Sequence, residues 1–162
     1  MIMNELEIFR TLCNKYPKYQ KDIIALNLQK EQITYMMQGV RGVDTSKEPN
    51  IRQPYENKIM DFSSKLDSID KKIKEKRLIL QYVEKTIRKC GVMKGHIAYV
   101  YLLGNSMDKL AEKLDISRRQ LYKVMNNSMS ECLNFEEIVS VISKNEDLRK
   151  ELGPKISPEV KS

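Results

Sequence analysis

The chain lacks several things that would declare a function. It has three cysteines, Cys13, Cys90 and Cys132, odd in number and far apart, so a disulfide scaffold is not expected and a reducing cytoplasm fits best. One histidine and no CxxC pair argue against a zinc site. There is no tryptophan, and aromatics are only 7% of the chain. No GxGxxG or GxxxxGKS/T string is present, so neither common phosphate loop is expected. No apolar run approaches the roughly 18 residues of a membrane span, and Met1–Leu6 (MIMNEL) has neither a basic region nor an apolar core, against a secretory signal. No coherent set of carboxylates, nucleophile or metal ligands emerges. The expectation is therefore a protein that is not an enzyme and has no cofactor, no metal and no membrane partner.

What the chain does have is charge and helical periodicity. It has 162 residues, 29 basic against 22 acidic, for a net charge of +7. Residues 54–93 carry 10 basic and 6 acidic groups and residues 94–128 carry 6 and 3, whereas residues 129–162 carry 5 and 7. An acidic flank is a poor match for phosphate, so a nucleic-acid-facing surface is expected within residues 54–128.

The strongest period runs through Ile59, Phe62, Leu66, Ile69, Ile73, Leu80, Val83, Ile87 and Cys90, in steps of three and four with Lys76 in the skipped slot. That is a heptad seam. Pro54 suits the first turn and Gly91 the end, giving a helix over 55–90, a rod of about 54 Å at 1.5 Å per residue. A shorter seam, Tyr19, Ile23, Leu26, Ile33 and Met37, skips a slot at Lys30 and places a helix over 18–38. Residues 39–53 (GVRGVDTSKEPNIRQ) read as the connecting loop. Residues 4–15 read as a separate short helix that Pro17 ends. The Lys76 stem can pack while its ammonium reaches water.

The segment 96–127, HIAYVYLLGNSMDKLAEKLDISRRQLYKVMNN, carries the chemistry. A helix from Ile97 to Leu103 stops at Gly104. Ser106 caps a second helix, Met107 to Leu114, and after Asp115 and Ile116 Ser117 caps a third that reaches about Asn126. Ser117 with Gln120 forms a capping box, and Ile116 with Leu121 the hydrophobic staple. Two short helices across a tight turn are the helix-turn-helix signature. Asp115 stands where a glycine is usual and is among the few residues that tolerate the left-handed conformation. Leu110, Ala111, Leu114, Ile116, Leu121 and Val124 are expected inward. Arg118, Arg119, Gln120, Tyr122, Lys123 and Asn126 are then left for the major groove, where Arg reads guanine, Gln or Asn reads adenine and Lys takes guanine or phosphate. Ser106 and Ser117 at helix N-termini, with Lys94, Lys109 and Lys113, are candidate backbone contacts. His96, Cys90, Tyr99 and Tyr101 are better explained by packing than by chemistry.

Asn134 and Glu137 make another capping pair, opening a helix from Phe135 to Ile142. Leu148 and Leu152 suggest one more turn or two before Gly153-Pro154 stops the chain's regular structure. The expected organisation is all-α: a long antiparallel, coiled-coil-like hairpin over 1–93, a compact helix-turn-helix domain over 94–152 and a disordered tail over 153–162.

This order of elements, with GVDTSKEPN in the loop, the long helix 55–90 and SMDKLAEKLDISRRQLYKVM, resembles phage and prophage transcriptional regulators of the RinA/ArpU type. The last unit of those regulators resembles region 4 of sigma-70 factors. The final string also resembles Cro- and repressor-type motifs, and LNFEEIVSVI after Asn127 is closer to the repressor pattern. The resemblance implies sequence-specific binding of double-stranded DNA in the control of phage or mobile-element genes. The helical arm would serve in homodimerisation or in a contact to RNA polymerase. A protein-binding adaptor or inhibitor that retains the motif, and a DNA-processing accessory subunit, are the alternatives.

Overall fold

The structure is a computed structural model that describes residues 3–42, 52–90 and 94–156. Among the described residues it is all-helical. Helices α1 (Glu5–Gly42) and α2 (Arg52–Lys89) are long. The short α3 (Lys94–Ile97) passes into a π turn over Ala98–Leu102. Then follow α4 (Met107–Leu114), α5 (Arg118–Cys132), α6 (Phe135–Ser143) and α7 (Glu146–Ile156).

Asn4 starts α1 by accepting the Glu7 N–H on Oδ1 at 2.9 Å. The short helix expected over 4–15 does not exist separately: α1 runs through Pro17 without a break. An interior proline costs about 3 kcal/mol. Ile8, Phe9, Leu12 and Cys13 before it and Tyr19 after it are all buried, and burying a large apolar side chain returns about 1.5–3 kcal/mol each. Packing on both sides of Pro17 therefore outweighs the lost hydrogen bond. Of the connecting loop expected over 39–53, residues 39–42 belong to α1 and residues 52–53 to α2; residues 43–51 and Gly91 lie outside the described residues.

The chain divides into two compact units, Lys21–Lys74 on one hand and Met1–Gln20 with Glu75–Ser162 on the other. In the first unit α1 and α2 pack against each other, and Ile23 and Met37 of α1 and Ile69 and Ile73 of α2 are buried. Lys30, in the skipped slot of the shorter seam, reaches Asp70 with Nζ to Oδ1 at 2.8 Å. In the second unit the ends of the same two helices join the remaining elements around one core. It contains Ile8, Phe9 and Leu12 of α1, Ile79, Val83 and Ile87 of α2, then Ile97, Leu110, Leu121, Met125, Met129, Ile138, Ile142, Leu148 and Leu152. Lys76, the other skipped slot, lays its ammonium 4.6 Å from the centre of the Tyr19 ring. Tyr16 donates to Glu84 Oε1 at 2.5 Å, and the Phe9 and Tyr82 rings meet edge to face at 6.3 Å.

The domain boundary expected at residue 93 is thus displaced. The heptad seam reads α2 as one continuous arm, but its last turns and the first turns of α1 are part of the core that holds α4 and α5. Of the disordered tail expected over 153–162, residues 153–156 are helical. Residues Gly153 to Ile156 continue α7 despite Pro154, Gly153 and Ile156 are buried, and Met3 N–H donates to Lys155 O at 2.8 Å. Residues 157–162 lie outside the described residues.

Candidate nucleic-acid interface

The two helices at the centre of the sequence argument are built as their caps require. Ser106 is extended (φ −70°, ψ 135°) and its Oγ accepts the Asp108 N–H at 3.1 Å, which opens α4. Asp115 closes α4 in the left-handed region at φ 56°, ψ 44°. Its N–H donates to Glu112 O at 3.2 Å while the Ile116 N–H donates to Ala111 O at 3.1 Å. These are the paired bonds with which a glycine usually ends a helix, here made by an aspartate. Ser117 is extended again, and its Oγ accepts the Gln120 N–H at 3.1 Å to open α5. The reciprocal half of the expected capping box is not formed, which leaves the Gln120 side chain exposed. The helix before the pair ends as expected at Gly104, with φ 67°, and Asn105 donates to Tyr99 O from its backbone and from Nδ2.

Leu110, Ala111 and Leu121 are buried, as their spacing requires. Two inward assignments are corrected. Leu114 is 38% exposed and Val124 42% exposed, while Met125, one residue further, is fully buried. Leu121, Met125 and Met129 form a stripe with a period of four, and Met129 carries α5 beyond the expected end at Asn126 to Cys132. The inward face of α5 is therefore rotated by one residue from the pattern Leu121–Val124.

Arg119, Gln120 and Lys123 stand exposed on α5, and Lys109 on α4. Arg118 is exposed but not free: its Nε lies 3.4 Å from Asp108 Oδ1, with both side chains about two-thirds exposed. Lys113 rests its ammonium 5.4 Å from the centre of the Tyr99 ring. Ser106 and Ser117 are exposed at the two helix starts. The side chain of Lys94 lies outside the described residues. His96 is half-buried, with Nδ1 shielded and unpartnered.

Tyr122 and Asn126 are not simply outward. Arg10, from the first turns of α1, places its guanidinium carbon 4.8 Å from the Tyr122 ring centre and 5.6 Å from that of Tyr101. Arg10 Nη2 donates to Asn126 Oδ1 at 2.9 Å, and the Tyr101 hydroxyl lies 3.4 Å from the same oxygen. The Tyr122 phenol is held below the ordinary tyrosine value by Arg10 and Asn126 beside its hydroxyl. Arg10 has no carboxylate among its partners, and its Nε is shielded without one. Charge along the sequence points to residues 54–128 and gives no sign of Arg10. No local pattern marks it, since only the tertiary fold brings residue 10 to residue 122.

Among the described residues no group of three or more His, Cys, Asp or Glu side chains could hold a metal ion, and no helix is long and apolar enough to cross a membrane. No family model, no curated protein and no solved structure matches the chain.

Proposed function

We propose that the chain is a sequence-specific double-stranded DNA-binding transcriptional regulator that acts without catalysis or cofactor in the cytoplasm, with α5 as the helix that enters the major groove. One observation carries this reading. Two serine-capped helices are joined through the left-handed Asp115, and the second is pinned by buried Leu121 and Met125 while Arg118, Arg119, Gln120 and Lys123 stay exposed at its start. That is the arrangement in which a helix N-terminal half meets base edges, and the basic groups supply the phosphate attraction. Control of phage or mobile-element genes follows from the resemblance to RinA/ArpU-type regulators.

The arm supports a homodimer. Along α1, Ile24, Leu28, Tyr35 and Met36 are exposed, Tyr35 by 77%. Between Asp22 and Arg41 only Lys30 and Glu31 are charged. A second copy of a chain of net charge +7 meets little repulsion at such a sparsely charged face, where Glu31 lies between Leu28 and Tyr35. The same face favours the second reading, an adaptor or inhibitor that docks a protein such as RNA polymerase there.

The test is selection of bound sequences from random duplex DNA at physiological salt. The regulator reading expects one enriched motif, lost when Arg118→Glu and Arg119→Glu are combined, with the thermal melt unchanged. Binding that is only salt-sensitive and enriches nothing would refute it. Leu28→Glu with Tyr35→Glu should lower the mass in light scattering from dimer to monomer; binding of RNA polymerase by the wild-type monomer, lost in that variant, would favour the adaptor.

A further inference from the structure

The carboxamide of Asn126 has an acceptor end and a donor end, and adenine is read by using both: the oxygen accepts from N6 while the nitrogen donates to N7. In this structure the acceptor end is taken. Asn126 Oδ1 receives Arg10 Nη2 at 2.9 Å and faces the Tyr101 hydroxyl at 3.4 Å, two donors for its two lone pairs. Arginine has no acceptor, so the oxygen and not the nitrogen of the carboxamide must point at it. What Asn126 still offers is its amide nitrogen, with one N–H turned to the Tyr122 hydroxyl oxygen and the second left over. Tyr122, one turn earlier on α5 and 43% exposed, is constrained in the same way. The Arg10 guanidinium lies against its ring and beside its hydroxyl oxygen, which leaves the phenol O–H to donate outward.

We propose that Arg10 is a positioning residue of the reading surface: by occupying the acceptor side of Asn126 and Tyr122 it turns them into a pair of donors that selects the acceptor edge of guanine, O6 with N7, and disfavours adenine. The proposal rests on the DNA-reading function argued above and specifies its base preference. It reverses the usual pairing of Asn with adenine, because the N6 amino group of adenine would meet an N–H. It also gives a use to a half-buried cation that has no carboxylate partner. An arginine with an anion beside it would be a stability element; one satisfied by an amide oxygen and two aromatic rings orients those groups.

The experiment compares site selections by the wild type, Asn126→Ala, Arg10→Met and Tyr101→Phe. Asn126→Ala identifies the position that Asn126 reads, as the one whose preference it loses. There the wild type should enrich guanine. Arg10→Met, which keeps the aliphatic stem and removes the donors, should shift the adenine-to-guanine preference at that position by about tenfold toward adenine, with the positions that depend on Arg118 and Arg119 unchanged. Tyr101→Phe removes only the second donor and should move the same position in the same direction by a smaller factor, which keeps the test usable if Arg10→Met fails to fold. A phenol titration without DNA provides the independent readout: in Arg10→Met the Tyr122 ionisation should move up toward the ordinary tyrosine value. Adenine at the Asn126 position in the wild type, no Asn126-dependent position, or a preference indifferent to Arg10 would each overturn the proposal. A wild type that enriches no site overturns the regulator reading and this one with it, whereas a wild-type site insensitive to Arg10 overturns this one alone.

Discussion

Replacing Val124 and Met125 in turn by alanine measures which side of α5 faces the core, and with it which residues are left for the proposed DNA-reading surface. Met125 is fully buried between α5 and the rest of the second unit, and Val124 is 42% exposed. Truncating a buried methionine to alanine removes its transfer free energy and leaves a cavity, at a cost of about 2–5 kcal/mol. Val124→Ala removes two methyl groups worth about 0.8 kcal/mol each when fully buried. Scaled by the buried fraction of the side chain, the loss is about 0.9 kcal/mol, and alanine recovers about half a kcal/mol of that through its better helix propensity. The expected net cost is near 0.4 kcal/mol, roughly an order of magnitude below Met125→Ala.

For a chain of this size each kcal/mol lowers the melting temperature by about 2–4 °C. Met125→Ala should therefore melt about 6–12 °C below the wild type for a mid-range cost near 3 kcal/mol, and Val124→Ala within about 2 °C of it. Circular dichroism at 222 nm with a parallel urea titration reads both. If Val124→Ala costs as much as Met125→Ala, α5 is rotated by one position from the geometry described, Tyr122 and Lys123 change faces, and the assignment of the reading surface fails with it.

Pro17→Ala restores an interior helical N–H and should stabilise the chain by about 1–3 kcal/mol, seen as a higher urea midpoint; a neutral result would mean that α1 is interrupted there. Asp108→Asn frees Arg118 from an exposed ion pair, so stability should change by no more than about 1 kcal/mol while affinity for the selected DNA rises a few-fold; a fall in affinity would show that Asp108 orients Arg118 for binding. Burial, and for Tyr16 the carboxylate of Glu84, push the Tyr16 and Tyr82 phenols up to about 12. Because the folded chain holds those protons more tightly than the unfolded one, their contribution is intact below pH about 10 and is lost as the pH climbs from about 10 to about 12. An ultraviolet titration should show these two ionising well after Tyr122. A fragment of residues 94–156 lacks Ile8, Phe9, Leu12, Ile79, Val83 and Ile87 of the core and should give neither a cooperative melt nor dispersed amide resonances; a folded fragment would show that the long helices are dispensable to it.

The parts of the fold legible in the sequence were those set by local chemistry. The caps at Ser106, Ser117 and Asn134 all formed, because a short oxygen-bearing side chain beside a helix start needs only its own neighbours. The heptad seams were legible in part: Ile69, Ile73, Val83 and Ile87 are buried, but beyond Lys76 the core also takes Ile79 and Tyr82, which lie off the seam, while Leu80 is only half-buried. The misreadings at Pro17 and Pro154 have a common cause. Both were judged by propensity, and both lie where neighbours on either side are buried by elements far away in the chain, so tertiary packing overrode the local rule. Val124 was misplaced for a related reason. A step of three and a step of four are both helical, and only the presence of Met129 in the core shows that α5 follows fours.

The candidate site was readable to the extent that it is a property of one segment. Arg118, Arg119, Gln120 and Lys123 follow from the position of a cap and the direction of a helix. What Asn126 and Tyr122 can recognise does not follow from their identity, because a carboxamide and a phenol each carry a donor and an acceptor, and the fold determines which of the two remains free. Here that choice is made by a residue 116 positions earlier, on a helix whose other residues read as packing. The proposed reading surface, assembled in this way, would tie base preference to the seating of α1 in the core. Substitutions at Leu12 or Ile8 that tilt the first turns of α1 should thus change which base is preferred before they abolish binding. In a self-contained helix-turn-helix the same substitutions would weaken every site alike.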